Sequence, residues 1–462
     1  MKTIISLSGI LCVVLFFSCN EKKREDVVDF EQIRQSGELT IITLSSSYSY
    51  FIYKDEPMGY DYDLAKDFAD YYGLKLNVKV AENPTRLIEM LRNGDGDLVA
   101  YPINVQNELK DSIIYCGPEQ ISHQVLVQRA NRGDTLITDV SELIGKEVYV
   151  KNGTKYHQRL QNLDKELGYG IIIKDIAKDT VTTEDLIEMV SLGKIKYTMS
   201  DDYVAKLNRT YYRNINITLP LSFDQRSYWI VRKNTPELAR VLNDWVALAN
   251  NTPVYKAITK KYFELSKMPF DGEYIVPKDL PKGNISVFDA LFKKYAKNTD
   301  FDWYFLAAIA YQESRFQTNL SSWAGATGLM GLMPGTAVAL GISEDDRTNP
   351  DLSIMASVKL LNRLDKIFKG VTDEESRLKF ILAAYNGGHG HVKDAQALAD
   401  KYGGSPYDWE TVRKYLELKS NPDFYNDPVC KNGYLRGNET LAYVDQVLRY
   451  WHTFKEKENS SK

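Results

Sequence analysis

Between Glu38 and Ala249, short apolar runs alternate with stretches whose apolar residues recur every three or four positions. Leu39-Thr40-Ile41-Ile42-Thr43-Leu44, Leu76-Asn77-Val78-Lys79-Val80 and Asp97-Leu98-Val99-Ala100 read as strands. Helical spacing over 63–72 (Leu64, Phe68, Tyr71, Tyr72) and 86–92 separates them. A second set begins near Val140. It comprises a short helix, a strand at Glu147-Val148-Tyr149-Val150, a turn at Asn152-Gly153 and a helix, then Ile171 to Ile173, 185–192 and Tyr197-Thr198-Met199. Ser227 to Val231 and a helix over 236–249 return to the first set. This alternation predicts an α/β architecture with parallel sheets and crossover helices.

Pro269, Gly272, Pro277, Pro281 and Gly283 then punctuate the chain, and 268–284 reads as a linker. Beyond it the spacing predicts only helices, over 286–297, 302–316, 334–340, 352–368, 373–386, 391–402, 408–417 and 438–455. The expected protein is multidomain: α/β over 37–267, all-α over 285–455, and a polar tail over 456–462. At 462 residues the chain is long enough for about three such units.

The amino terminus has its own pattern. Lys2 precedes an apolar run from Ile4 to Phe17, too short to span a bilayer, which ends at Ser18-Cys19. It resembles a bacterial lipoprotein signal, although Phe16 stands where a smaller aliphatic residue is usual. The resemblance implies removal of 1–18, lipidation of Cys19, a solvated tether over 19–36, and residence in the cell envelope, anchored at the outer membrane and facing the periplasm. Cys116 and Cys430 then remain, far apart in sequence, and are expected to be unpaired. With 58 basic and 62 acidic side chains, the formal charge of -4 offers no field for nucleic acid. Neither a metal nor a cofactor is expected: five histidines are few, and His389 and His391 at the start of a Gly-rich helix read as solvated.

Gly37-Glu38-Leu39-Thr40-Ile41, Gly59-Tyr60-Asp61-Tyr62-Asp63-Leu64-Ala65, 91–98, Gly145-Lys146-Glu147-Val148-Tyr149-Val150 and Asn152-Gly153-Thr154, in that order, resemble the family 3 periplasmic solute-binding proteins. The resemblance covers 37–267 and implies two α/β lobes closing on a small ligand, often an amino acid. It implies that Thr154 receives the ligand carboxylate and Asp201 its ammonium. The arginine that clamps the carboxylate in the family falls near Leu109, which has neither charge nor donors. High-affinity capture of a free amino acid is therefore not expected, and a larger peptide or muropeptide is an alternative occupant.

In the carboxy-terminal region, Leu306, Ile309, Ala310 and Phe316 fall on one helix face, and Glu313 falls on the same side. A carboxyl among apolar neighbours resists ionisation, so Glu313 is expected to titrate nearer neutrality, as a general acid requires. Glu313-Ser314-Arg315-Phe316 is followed by Gly325-Ala326-Thr327-Gly328-Leu329-Met330-Gly331-Leu332-Met333-Pro334, Ala383-Ala384-Tyr385-Asn386-Gly387-Gly388 and Glu439-Thr440-Leu441-Ala442-Tyr443-Val444. These blocks resemble the lysozyme-like soluble lytic transglycosylases. The resemblance implies cleavage of the β-1,4 bond between N-acetylmuramic acid and N-acetylglucosamine of peptidoglycan glycan strands, leaving 1,6-anhydromuramoyl ends. It assigns Glu313 as the lone catalytic acid/base and Ser322, Met333, Tyr385, Asn386 and Tyr443 as substrate contacts. No second acid accompanies Glu313 in the glycine block, unlike in most glycosidases. Gly331 replaces the glutamine common in relatives, which removes one sugar contact.

The expected protein is a lipid-anchored peptidoglycan lyase with a solute-binding domain that positions or regulates it. The alternatives are a lysozyme-type hydrolase, which would leave reducing ends, and a wall-binding receptor with a degenerate catalytic domain.

Overall fold

The computed structural model describes residues 29–176, 181–268, 272–275, 280–281 and 283–459. The apolar leader, Cys19 and most of the tether lie outside the described residues, as does part of the linker. Among the described residues, no helix is long and apolar enough to cross a membrane.

The first half forms two lobes, each built on a five-stranded sheet. In the first, the order is Lys75–Ala81, Glu38–Leu44, Leu98–Asn104, Gln225–Arg232, Ile113–Ser122. The first three strands are parallel, joined by the helices Tyr60–Tyr71 and Pro84–Arg92. Gln225–Arg232 runs antiparallel to both its neighbours. The sheets are thus mixed, not purely parallel as alternation suggested. Two long strands, Ile113–Ser122 and Gln124–Arg129, escape the periodicity because Gly117 and Pro118 interrupt the first and the second is buried on both faces. The second lobe orders Ile215–Asn216, Gln124–Arg129, Tyr197–Asp201, Glu147–Lys151, Ile172–Ile176.

The chain crosses between lobes twice, at His123 and at 217–224, where His123 Nδ1 meets Asp224 Oδ1 at 3.0 Å. Gln225–Arg232 and the helix Pro236–Ala249 complete the first lobe, with Trp229, Leu242 and Trp245 in its core. These are the two α/β lobes of a periplasmic-binding-protein-like domain.

A helical domain follows, with one large core. The helix Trp303–Ser314 runs through its middle: Tyr304 to Tyr311 are all buried. The single apolar face expected from spacing is therefore absent, as for any helix surrounded by others. Around it pack Asp289–Ala296, Pro350–Ile367, Glu374–Gly387, His389–Lys401, Trp409–Leu418 and Gly437–Asn459. Cys116 is buried and Cys430 half-buried, and both are free thiols.

The first lobe also sends out a hairpin, Phe51–Tyr53 paired with Glu56–Met58, that reaches the helical domain. The sequence reading gave no element there.

Candidate active site

Glu313 lies in the last turn of the helix Trp303–Ser314, which Asp302 opens by accepting a hydrogen bond from the Phe305 amide. The helix stops where Arg315 and Phe316 take left-handed backbone, φ 52° and 63°. Two consecutive non-glycine residues in that region cost about 1–2 kcal/mol each. The reversal leads into Leu320, Ser321, Ser322 and Trp323, which line the same cavity of about 370 Å³ as Glu313.

The side chain of Glu313 is only 9% exposed. Tyr443 donates its hydroxyl to Oε1 at 3.0 Å. Lys54 Nζ, from the hairpin of the first lobe, donates to Oε1 at 2.9 Å and Oε2 at 3.0 Å, and to the Gly331 carbonyl at 3.2 Å. The purely apolar setting expected for Glu313 is thus corrected: an ammonium sits on both carboxyl oxygens. A glycosidic oxygen can reach this carboxyl only by displacing one of these donors.

Gly331 has a positive φ of 62°, and a Cβ there would lie 2.0 Å from Oε2 of Glu313. Any side chain at 331, glutamine included, would have to displace the carboxyl from its present seat. Glycine here lets Glu313 and Lys54 close onto bare backbone.

Ser322, Asn386 and Tyr443 line the groove beside Glu313. Ser322 Oγ accepts from the Ala326 amide at 3.1 Å, and Asn386 Oδ1 accepts from Thr440 Oγ1 at 2.9 Å. Tyr385 is buried, donates to the Met330 carbonyl at 2.7 Å, and holds its ring 5.7 Å from the Lys54 ammonium. Burial, with the nearby Glu313 charge, pushes the Tyr385 and Tyr443 phenols far up, so both remain donors. Met333 does not line the groove. It is buried in an apolar cluster with Phe51 and Met58 of the hairpin.

Sequence reading missed charged groups of the groove, Glu439 and Lys267 among them. Glu439, half-buried, lines the same cavity, and desolvation pushes its carboxyl up to about 7 against the opposing Arg436 and Lys267 charges. Lys267 also lines it, brought down to about 7 by burial and ringed by Tyr211, Tyr262 and Trp323. Glu439 opens the Glu439-Thr440-Leu441-Ala442-Tyr443 block already singled out. Only the fold brings it to the groove.

The hairpin grips the helical domain along its whole length. Lys54 and Asp55 form its two-residue turn, both left-handed (φ 49° and 62°), as such tight turns require. The Lys54 amide donates to the Gly387 carbonyl at 3.2 Å. Asp55 accepts from His389 Nδ1 at 2.8 Å and from the amides of His389 and Gly390, so it sits at the amino end of the helix His389–Lys401. Glu56 accepts from the Thr336 amide at 3.0 Å, His391 Nε2 donates to the Ile52 carbonyl at 2.9 Å, and Tyr53 packs on Trp323. The expectation of solvated histidines is corrected for His391, which is fully buried, whereas His389 stays exposed; both hold the hairpin. Lys54 carries no sequence signal, because Tyr53-Lys54-Asp55-Glu56 reads as an ordinary polar turn.

In the solute-binding half, a cavity of about 510 Å³ is lined by Leu109, Tyr101, Asn104, Gln225 and Lys155. Thr154 caps the helix Lys155–Glu166, accepting from the His157 amide and donating to the Lys151 carbonyl. Asp201, at the end of its strand, accepts from Lys155 Nζ at 2.5 Å and Tyr156 Oη at 3.0 Å. The place expected for a ligand ammonium is already filled by one from the protein.

Residues 39–265 match the bacterial extracellular solute-binding proteins, family 3, and 290–407 match the transglycosylase SLT domain. The chain is 33% identical over 437 residues, 94% of its length and 93% of the relative's, to the membrane-bound lytic murein transglycosylase F of Desulfosudis oleivorans. It is 29% identical to that of Pseudomonas putida strain F1, covering 95% of this chain and 88% of the other. The open second substrate-binding domain of Lactococcus lactis GlnP superposes on 49% of this chain and 96% of that one, with a TM-score of 0.42 and 23% identity. An α/β pair of lobes, a helical domain and a groove at their junction, matched over nearly the whole length, place this chain in the membrane-bound lytic murein transglycosylase F family, as a lyase acting on peptidoglycan.

Proposed function

We propose that this enzyme cleaves the β-1,4 bond between N-acetylmuramic acid and N-acetylglucosamine with formation of 1,6-anhydromuramoyl ends, and that its solute-binding half holds it in a blocked state. The observation that carries this reading is Lys54 Nζ at 2.9 and 3.0 Å from the two oxygens of Glu313. With Lys54 withdrawn, a protonated Glu313 donates to the glycosidic oxygen, and the C1–O4 bond breaks as N-acetylglucosamine leaves with its 4-hydroxyl restored. The resulting carboxylate takes the proton of the muramoyl 6-hydroxyl as that oxygen bonds to C1. Protons and electrons balance within the glycan, and no water is consumed. The reacting hydroxyl belongs to the same sugar, so proximity supplies much of the rate.

Tyr443, at 3.0 Å, keeps the carboxyl oriented. Ser322, Asn386 and Tyr385 are the proposed sugar contacts. Met333 joins them once the hairpin leaves, since Phe51 and Met58 cover it now. Gly331 supports the blocked state and is no mark of degeneracy, because its bare backbone is what Lys54 and Glu313 close upon. A small ligand or muropeptide between the lobes is the proposed signal. Leu109 in the cleft wall and Lys155 on Asp201 argue against a free amino acid. The enzyme works in the cell envelope, held there by lipid on Cys19.

Mass analysis of products from purified sacculi tests the chemistry. The wild type releases muropeptides lighter by one water than their reducing counterparts, and Glu313→Gln releases none. Reducing ends would overturn the lyase chemistry in favour of hydrolysis. Lys54→Ala tests the block: turnover of the full chain rises roughly 5- to 150-fold, the span of ordinary allosteric couplings. Unchanged turnover would overturn it.

A further inference from the structure

Trp323 belongs to the helical domain yet lies outside that domain's main core, half-buried in the groove that holds Glu313. Its setting is a tight turn made by the helical domain's own backbone. The Gly325 amide donates to the Ser322 carbonyl at 3.0 Å, the Ser322 amide donates to the Ala326 carbonyl at 2.8 Å, and Ser321 bridges Thr327. The indole is therefore held at a fixed place by its own domain.

The groups against the ring come from the solute-binding half. Tyr53 of the hairpin packs on it with ring centres 5.7 Å apart and planes tilted by 36°. Tyr262 meets it edge-on at 6.5 Å, and the Lys267 ammonium stands 4.7 Å from its centre. Tyr53 and Lys267 line the groove as well.

An apolar ring that a domain holds rigidly beside its groove, without packing it into its own core, is a surface kept for a partner. A glycan strand is a chain of pyranose rings whose C–H faces are apolar and whose rims carry hydroxyls. Ser321 and Ser322, both exposed, flank the indole in the same groove and supply hydroxyls for such a rim. An aromatic plate with a few polar groups beside it fixes the orientation of a ligand. We propose that Trp323 is the platform on which a sugar ring of the glycan strand stacks during turnover, and that Tyr53 takes that place in the present state. The proposal rests on the glycan-cleaving reading above and extends it. The hairpin then excludes the strand itself, besides engaging Glu313.

Calorimetry tests the platform on the full chain carrying Lys54→Ala and Glu313→Gln, in which the hairpin is loosened and the strand stays uncleaved. The probe is peptide-free strands of alternating N-acetylglucosamine and N-acetylmuramic acid. Adding Trp323→Ala weakens binding at least about tenfold, whereas Trp323→Phe stays within about threefold of the parent. In the active Lys54→Ala chain, Trp323→Ala raises KM and leaves kcat within about twofold. A ring that merely joined the two halves would give the opposite sign, because its loss would free the groove further. Affinity unmoved or tightened in Trp323→Ala would therefore overturn the platform. So would Trp323→Leu binding as tightly as Trp323→Phe, a contrast that also decides the matter if Trp323→Ala does not fold. A parent chain that binds no strand at all would overturn the glycan-cleaving reading itself, and the platform with it.

Discussion

Single atoms decide much of this site. Gly328 and Gly325 belong to one block of sequence and both have positive φ, yet they are not equivalent. A Cβ at 328 would fall 1.8 Å from the Arg347 carbonyl oxygen, whereas at 325 nothing lies within 4 Å. Gly325→Ala should cost about 1 kcal/mol from backbone strain alone. Gly328→Ala should cost several times more, because backbone must move, and equilibrium denaturation of the pair measures the contrast. Glu313 teaches the same lesson. Its place in a helix was legible as a carboxyl among apolar residues, but the ammonium that meets it stands 259 positions earlier in the chain. No local pattern encodes a pairing of that span.

At the level of elements, the hairpin is a strained turn held down by contacts it makes elsewhere. Phe51 and Met58 bury apolar surface against the helical domain, worth roughly 1.5–3 kcal/mol each when fully buried. This offsets two left-handed residues at about 1–2 kcal/mol each. The pair His389–Asp55 adds a pH-dependent part. The hydrogen bond that His389 donates to Asp55, with the carboxylate's charge, lifts the His389 imidazole above its usual 6.5 despite partial burial. Burial pushes Asp55 up, but the His389 hydrogen bond and charge and the Gly390 and His389 amides hold its carboxyl below the usual value, so it stays ionised. A group whose pKa is raised in the docked state stabilises docking fully below 6.5 and loses that contribution as pH rises through the higher value. The ratio of His389→Gln to wild-type turnover should therefore exceed one below pH 6.5, by up to roughly fivefold for so exposed a pair. It should fall to one above the raised value. A ratio flat with pH would exclude the histidine from the latch.

Across the whole molecule, Glu184 joins three parts. It stands in the first turn of the helix Thr183–Ser191 of the second lobe and accepts from Ser47 of the first lobe. It also accepts from Tyr434 Oη at 3.1 Å and Arg436 Nη1 at 3.2 Å in the helical domain. Arg436 in turn donates to Asn208 and Tyr212 and stacks 3.9 Å above the Tyr211 ring. Any rotation of one lobe on the other must break or remake this junction. Glu184→Gln keeps its shape and removes its charge, which should cost about 1–3 kcal/mol at a partly buried site. We expect raised basal turnover of the full chain together with a lower thermal midpoint. A lowered midpoint with unchanged turnover would mark the junction as a structural contact alone.

Alternating periods by themselves separated an α/β half from a helical half, because hydrophobic spacing is written locally in the chain. The same holds for the groove blocks at Glu313, Tyr385 and Tyr443, whose residue types and order survive without any knowledge of contacts. Tertiary structure alone decided the rest. Lys54 reached Glu313, Lys155 filled Asp201, Met333 turned to the hairpin, and His391 became buried, since each depends on surfaces far apart in sequence meeting in space. Charge and burial are properties of neighbours, and neighbours across a domain junction are chosen by packing, not by spacing.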